Sequence, residues 1–198
     1  MSLWQGRPLV LASKSIARRA LLDAAGIPVV VDPADIDERT TEAGAADGKV
    51  AAVLLARTKA AAVAKRRPSD LVLAADQTLD LDGRRFSKPK AVAAAREQLA
   101  ALAGRTHSLH SAAAVARGSE ILFETVATAR LTMRPLDGSA LDAYLAAVGD
   151  DVTTSVGAYR LEGLGVHLFE KIEGDHFTIL GLPLLPLLAY FRDAGLAR

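Results

Sequence analysis

The segment Leu9-Val-Leu-Ala12-Ser13-Lys-Ser15-Ile-Ala17-Arg18-Arg19-Ala-Leu-Leu22 constrains this chain most. An apolar run ends in two serines, and two arginines stand at the head of an amphipathic run. The pattern predicts a strand that turns within a few residues into a helix closed by Gly26. Hydroxyls, guanidinium groups and free backbone N–H groups then meet at one corner. A helix N-terminus carries unpaired donors and the positive end of the helix dipole, so it attracts anions. Arginine adds a planar fork matched to phosphate oxygens. The corner Ser13, Ser15, Arg18, Arg19 therefore reads as a phosphate seat. An ordinary N-cap beside two solvated arginines fits the local residues as well. No glycines separate the strand from the helix and no Gly-Lys-Ser/Thr follows, so it is not a P-loop.

The rest of the chain must supply a core for this corner. Its 198 residues suffice for one sizeable domain or two lobes. Hydrophobic residues make up 51% but aromatics only 5%, so aliphatic side chains and alanine must fill the interior. A formal net charge of +1 gives no global field to draw in nucleic acid or a membrane surface. The absence of cysteine excludes disulfides, thiolate catalysis and cysteine-based zinc sites, and suits a cytoplasmic protein. No uncharged apolar run reaches the roughly 20 residues of a membrane span.

Strand and helix patterns intermingle without strict alternation, which predicts a mixed α/β fold. Strands are expected at residues 7–12, Val29–Val31, Leu71–Ala75 (ending at Asp76), Ser108–Ala116, Ile121–Leu131 and Gly165–Lys171. A hairpin is expected around Gly83, with Leu79–Asp82 and Arg85–Phe86 as its arms. Helices are expected at residues 15–25, Lys49–Lys65, Ala91–Leu102, Ser139–Ala147 and Leu184–Ala194. The chain reads as a single domain over residues 1–198, with a soft lobe boundary near Arg105. The apolar C-terminal helix fits a core or a homodimer contact, core being the simpler use.

Further candidates lie along this framework. Asp76, at an expected strand end and followed by Gln77-Thr78, is placed to hold a metal or activate water; a loop-capping role fits equally. Lys88, in Ser87-Lys88-Pro89, can neutralise phosphate or simply be solvated. Asp35, Asp37 and Glu38 offer carboxylates to a cation or form an exposed acidic loop. Lys59 interrupts an alanine-rich helix face. Glu162 stands among Gly157, Gly163 and Gly165, where a backbone can approach a ligand closely. A carboxylate there can accept two N–H bonds from a guanine-type edge; a flexible turn is the plainer reading. His107, His110, His167 and His176 lack metal-ligand spacing.

In order along the chain stand Leu11-Ala-Ser13-Lys-Ser15, Ala56-Arg57-Thr-Lys59, Ala75-Asp76-Gln77, Ser87-Lys88-Pro89 and Arg96-x-x-Leu99-x-x-Leu102-Ala-Gly104-Arg-Thr-His107. Val156-Gly157-Ala-Tyr159-Arg-Leu-Glu162-Gly163, Ile172-Glu173-Gly174 and Leu180-Gly181-Leu182-Pro183 follow. Together, from Leu9 to about Phe191, they resemble the Maf family of nucleotide pyrophosphatases. The resemblance implies a bent mixed sheet with flanking helices, and two lobes around a cleft. It also implies hydrolysis of a nucleoside triphosphate to the monophosphate and pyrophosphate, with a divalent cation. On matching positions, Ser13, Ser15 and Arg18 would hold phosphates, with Lys59 and Lys88 adding positive charge. Asp76 would accept the proton of the attacking water, and Glu38 would join it at the metal. This chemistry fits the residues, because a triphosphate carries about four negative charges that must be offset.

The departures from the family pattern bear on the substrate. The family's Pro-Arg at the corner is Ile16-Ala17, its Thr after the aspartate is Gln77, the Gln of Tyr-x-x-Gln-Gly is Glu162, and its Lys before Ala-Gly-Ala-Tyr is Ser155. Change at the Ala17, Gln77 and Glu162 positions resembles the branch acting on 7-methyl-GTP rather than dTTP or UTP. A carboxylate suits a cationic methylated guanine and repels the carbonyl-rich edge of uracil. That branch usually carries an aromatic at the Ala17 position, whose stacking is worth about 1–3 kcal/mol. Two alternatives stand beside this reading: a dTTP/UTP pyrophosphatase, and a non-catalytic nucleotide-binding regulator of septum formation. Loss of cations at Ala17 and Ser155 favours the regulator; retention of Asp76, Lys59 and Lys88 opposes it.

Overall fold

Alternation along the strands determines how the interior divides. In the computed structural model, which describes residues 3–198, the sheet has seven strands in the order β2-β1-β3-β5-β6-β7, with β4 paired to β3. The strands are β1 (Leu9–Leu11), β2 (Val29–Val31), β3 (Val72–Leu81), β4 (Arg84–Phe86), β5 (Thr106–Arg117), β6 (Glu120–Met133) and β7 (Phe169–Glu173). The helices are α1 (Ile16–Ala24), α2 (Glu38–Glu42), α3 (Gly48–Arg66), α4 (Val92–Leu102), α5 (Gly138–Val148), α6 (His176–Ile179) and α7 (Leu184–Asp193). Strand β1 runs parallel to β2 and β3, whereas β3–β4 and β6–β7 are antiparallel. The expected mixed α/β class is therefore what the chain adopts.

Two compact units interleave along the chain. One comprises the chain through Gln77, His110–Ala127 and His176–Arg198; the other comprises Thr78–Leu109 and Thr128–Asp175. In the first unit, Leu9, Leu11, Leu73, Ala75, Ala113 and Val115 pack with Leu22 of α1 and Leu184, Leu187 and Phe191 of α7. Val10, Val72, Ala74, Ala112 and Ala114 instead pack with Ala52, Ala56, Ala60 and Val63 of α3. Successive strand residues point to opposite faces, so one period-two pattern serves two helical layers. Alanines on α3 meeting alanines on β3 and β5 bring helix and sheet close together. That is how a chain so poor in aromatics fills its interior. The C-terminal helix α7 is thus a core element, and Trp4 closes its end edge-on to Phe191 at 5.1 Å.

The second unit is built around the β3–β4 hairpin, α4, α5 and β7. Asp82 (φ 51°) and Gly83 (φ 81°) make the expected tight turn. Its core contains a polar pair, His107 Nε2 and the Tyr159 hydroxyl, 2.6 Å apart, with Phe169 edge-on to Tyr159 at 4.7 Å. Gly157 (φ 81°) makes this packing possible, because a Cβ there would lie 2.7 Å from both Leu79 and Tyr159.

Two local expectations need correction, and two short helices were not expected. Strand β3 does not stop at Asp76 but continues to Leu81, because its second half pairs with β4. Residues 164–168 form a 3-10 turn rather than the start of a strand, and β7 begins only at Phe169. The cause lies at Gly165, whose backbone folds so tightly on Arg160 that a Cβ would fall 2.4 Å from the Arg160 carbonyl oxygen. The short α2 and α6, set by local capping and tertiary contacts, carry too little periodicity to be read from sequence.

Burial without a charge partner pulls His107 down to about 4 from 6.5, and its Nδ1 is buried without a hydrogen bond. Between those values the unfolded chain binds the proton and the folded one does not. The stability this group contributes is therefore full above pH 6.5 and is lost as pH falls toward 4, by about 3 kcal/mol. Asp32, Asp37, Asp137 and Asp142, all lowered from 3.8 by hydrogen bonds, contribute losses only further down. Thermal melts at about pH 7.5 and 4.8 should show a larger drop for the parent than for His107→Gln. Equal drops would show that another group governs this window.

Candidate functional site

The corner after β1 forms because β1 is short. Pairing between β1 and β3 ends as Ala12 N–H donates to the Leu73 carbonyl at 2.8 Å. The next carbonyl on that edge, Ala75, has lost its strand neighbour and accepts from Arg18 Nη1 at 2.8 Å. Arg18 Nη1 also donates to Ser13 Oγ (3.1 Å), and Arg18 Nε to the Gly181 carbonyl (2.8 Å). One guanidinium thus ties the end of β1, the middle of β3 and the segment before α7. Burial pulls Arg18 below its ordinary value, while the carboxylates of Asp76 and then Glu38 pull it back up.

Both serines of the corner are committed as acceptors. Ser15 is the N-cap of α1, its Oγ accepting from Arg18 N at 3.3 Å, and Ser13 Oγ accepts from Ser15 N at 3.2 Å. Their hydroxyl protons remain available to an incoming oxygen, as does Arg18 Nη2, which has no hydrogen bond among the described residues. The arrangement suits an oxyanion. Arg19 is absent from it: it lies exposed and pairs with Asp23 at 3.5 Å. Ile16 is 80% exposed at the head of α1, and Ala17 beside it is half-buried.

Asp76 and Gln77 are neighbours that serve opposite faces of the sheet. Asp76 shares the α3 face with Val72 and Ala74, and there Lys59 Nζ lies 2.5 Å from its Oδ1. The same ammonium lies 2.6 Å from Glu38 Oε1, at the head of α2. Lys59 and Asp76 side chains are each only 12% exposed, so this ion pair is largely desolvated. The lysine that interrupts the alanine face of α3 thereby joins the two carboxylates expected to act together. The neighbouring carboxylates are used otherwise. Asp37 caps α2 through Thr40 N and Oγ1, Asp32 pairs with Arg66 and Arg67, and Asp35 is exposed. No group of three His, Asp or Glu able to hold a metal occurs among the described residues.

Gln77 points to the other face. Its Nε2 donates to the carbonyls of Thr178 (3.1 Å) and Ile179 (3.0 Å) and lies 3.0 Å from Ser111 Oγ. Ser111 Oγ itself donates to Thr178 O at 2.7 Å. Sequence reasoning missed Ser111 and assigned no role to the 178–181 segment. The Leu180-Gly181-Leu182-Pro183 motif was the one available signal.

Ser13, Ser15, Arg18, Glu38, Lys59, Asp76 and Gln77 all lie in the first compact unit; Lys88 and Glu162 lie in the second. Lys88 is exposed in the loop after β4, whose Ser87 carbonyl is held by Gln98 Nε2 at 2.7 Å. Glu162 is exposed, 3.2 Å from Arg160 Nε, on the wall of a recess of about 300 Å³ that Tyr144, Tyr159 and Gly165 also line. Ser155, where the resemblance expects a lysine, donates to the Tyr159 carbonyl at 2.6 Å.

A family model described as Maf-like protein matches residues 8–194. The chain belongs to the Maf-like family. It is 60% identical to a protein of Rhodopseudomonas palustris named nucleoside triphosphate pyrophosphatase, over 99% of this chain and 98% of that one. A Bradyrhizobium diazoefficiens protein of the same name is 55% identical over 99% of this chain and 98% of its own length. A Mesorhizobium japonicum protein named 7-methyl-GTP pyrophosphatase is 50% identical over 94% of this chain and 96% of that one. Among solved structures, the Staphylococcus aureus Ham1 protein is similar at a TM-score of 0.48 and 16% identity, over 96% of this chain and 100% of that one. No described helix of this Maf-like chain is long and apolar enough to cross a membrane.

Removing one partner of a desolvated ion pair strands the other charge. Lys59→Met should therefore destabilise this Maf-like protein by about 2–4 kcal/mol. Adding Asp76→Asn should return at least about 1 kcal/mol of that loss. Urea unfolding of the two single variants and the double variant measures the coupling; simple additivity would show that the pair is not coupled.

Proposed function

We propose that this chain hydrolyses the bond between the α- and β-phosphates of a nucleoside triphosphate, with 7-methyl-GTP its preferred substrate. The reaction class is that of its relatives, a hydrolase acting on phosphoric anhydride bonds. The observation that carries the reading is the Lys59 ammonium between Asp76 and Glu38, in the same compact unit as the Ser13–Ser15–Arg18 corner. It combines a carboxylate paired with a desolvated ammonium and a cradle of oxyanion donors. In this mechanism Ser13, Ser15, Arg18 Nη2 and the Ile16 and Ala17 amides at the head of α1 bind phosphate oxygens. Asp76, with Oδ1 facing Lys59, orients a water and takes its proton as the water oxygen bonds to phosphorus. The anhydride bond then breaks, and pyrophosphate leaves with the bonding electrons. Lys59 offsets charge on the phosphates.

The donor set fits a divalent cation in part. Glu38 and Asp76 supply two hard carboxylate oxygens of the kind magnesium or manganese takes, and water and phosphate oxygens would complete the shell. When bound, such an ion supplies Lewis-acid neutralisation of the phosphate charge.

The finer assignment rests on Gln77 and Glu162 at the positions that mark the 7-methyl-GTP branch, and on the Mesorhizobium relative's name. Glu162 is the direct candidate for preference, because a carboxylate accepts from the donor edge of guanine and favours a cationic ring. Pyrophosphate release with magnesium or manganese should be fastest from 7-methyl-GTP across a panel with GTP, dTTP, UTP and the other common triphosphates. Asp76→Asn should lower turnover by about 10²–10⁴-fold while the melt remains cooperative. Glu162→Gln should narrow the preference over UTP. A dTTP or UTP preference would overturn the base assignment. Folded parent that binds nucleotide but never turns it over would favour the regulator.

A further inference from the structure

Gln77 sits at a position expected to mark substrate preference, yet its donors are spent inside the protein. A carboxamide nitrogen has two hydrogens. Here two main-chain carbonyls, Thr178 and Ile179, converge on it together with Ser111 Oγ. Carbonyls accept only, so they fix the amide with its NH₂ end inward. Ser111 and Thr178 are fully buried, and Ser111 Oγ adds a second side-chain donor to Thr178 O. The segment held this way ends at Gly181, whose carbonyl accepts from Arg18 Nε at 2.8 Å. Gly181 takes φ 90°, and a Cβ on it would lie 3.4 Å from Arg18 Nε and Nη2 and 3.7 Å from Gln77 Oε1. The 178–181 segment is therefore suspended between Gln77 and Arg18 by its carbonyls. Asp76, next in the chain, points to the opposite face, so Gln77 does not share its carboxylate's surroundings.

We propose that Gln77 is a positioning residue: it holds the 178–181 carbonyls so that Gly181 fixes the Arg18 guanidinium at the phosphate corner, and it does not read the base. The inference rests on the proposed phosphate-holding role of Arg18. It predicts that Gln77 governs affinity for the polyphosphate common to all substrates, while discrimination between bases lies elsewhere.

Inorganic tripolyphosphate, which has no base, separates the two roles. Gln77→Met removes the donors at similar length and without adding charge. It should weaken tripolyphosphate inhibition and raise KM for every nucleotide by a similar factor, about tenfold. The ratios of kcat/KM among 7-methyl-GTP, GTP and UTP should stay within about twofold. Hydrogen exchange at the Gly181 and Leu182 amides, which donate to Thr178 O and Phe177 O, should quicken. Ser111→Ala should act in the same direction and more weakly, and it carries the same comparisons if Gln77→Met does not fold. Altered base ratios with unchanged tripolyphosphate affinity would overturn the proposal and make Gln77 a base reader. Unchanged affinity and exchange in both variants would overturn it too. A parent that turns over nucleotides but does not bind tripolyphosphate would instead sink the phosphate reading of the corner, and the inference with it.

Discussion

The structure depends on one half-buried cation standing in for a missing strand. Strand β1 ends at Leu11, leaving the Ala75 carbonyl of β3 without a backbone donor on that edge. An unsatisfied buried carbonyl is costly, and a truncated sheet usually meets that cost with water or a capping side chain. Arg18 meets it here with a charged donor and extends the same guanidinium to Ser13 and Gly181. Burying much of an arginine is tolerable because its charge is answered by Asp76 and Glu38 and three of its five guanidinium hydrogens have acceptors. The hydrogen-bonding demand of the sheet and the electrostatic demand of the proposed anion site thus converge on one residue.

Alternation then distributes the chemistry. Even-numbered residues at the start of β3 face α3, and odd-numbered ones face α1 and α7. That rule puts Asp76 against Lys59 and Gln77 against the 178–181 segment. The alanine-rich packing of α3 on the sheet also matters to the site. With helix and sheet close, a lysine stem lies along the apolar face and its ammonium emerges between two carboxylates. A bulkier interface would move Lys59 away from Asp76.

Much of this was legible because it is local. Ser13, Ser15 and Arg18 lie within one strand-to-helix transition, where capping chemistry and the helix terminus act over three residues. The helices α1, α3, α4, α5 and α7 and the β3–β4 turn follow from periodicity and from Gly83. Asp76 was set at a strand end, because the apolar run stops there while the hydrogen bonding continues into β4. The role of Gln77 was hidden for a different reason: its acceptors are main-chain carbonyls 101 and 102 residues away. Backbone carbonyls leave no mark on sequence, so no side-chain pattern announces them. Ser111 was invisible likewise, a hydroxyl followed by three alanines in an otherwise unremarked strand. Family motifs supplied what locality could not, drawing attention to Leu180–Pro183 without saying what it does.

The departures at Ile16 and Ala17 acquire a physical meaning against this framework. With one corner arginine fewer than the family pattern, Arg18 carries the guanidinium role alone, and only its Nη2 remains for a ligand after Ser13, Ala75 and Gly181 are served. One free N–H₂ group would not offset the triphosphate proposed to bind there, so in that reading the remaining compensation would fall to the α1 terminus, Lys59 and a cation held by Glu38 and Asp76. A corner with little spare charge depends on geometry more than on charge count. Each donor must already be aimed before the anion arrives, because a misaligned donor has no neighbour to replace it. The hydrogen bonds that fix Arg18 from three sides, and the carboxamide that fixes Gly181 behind it, supply that alignment within the folded protein.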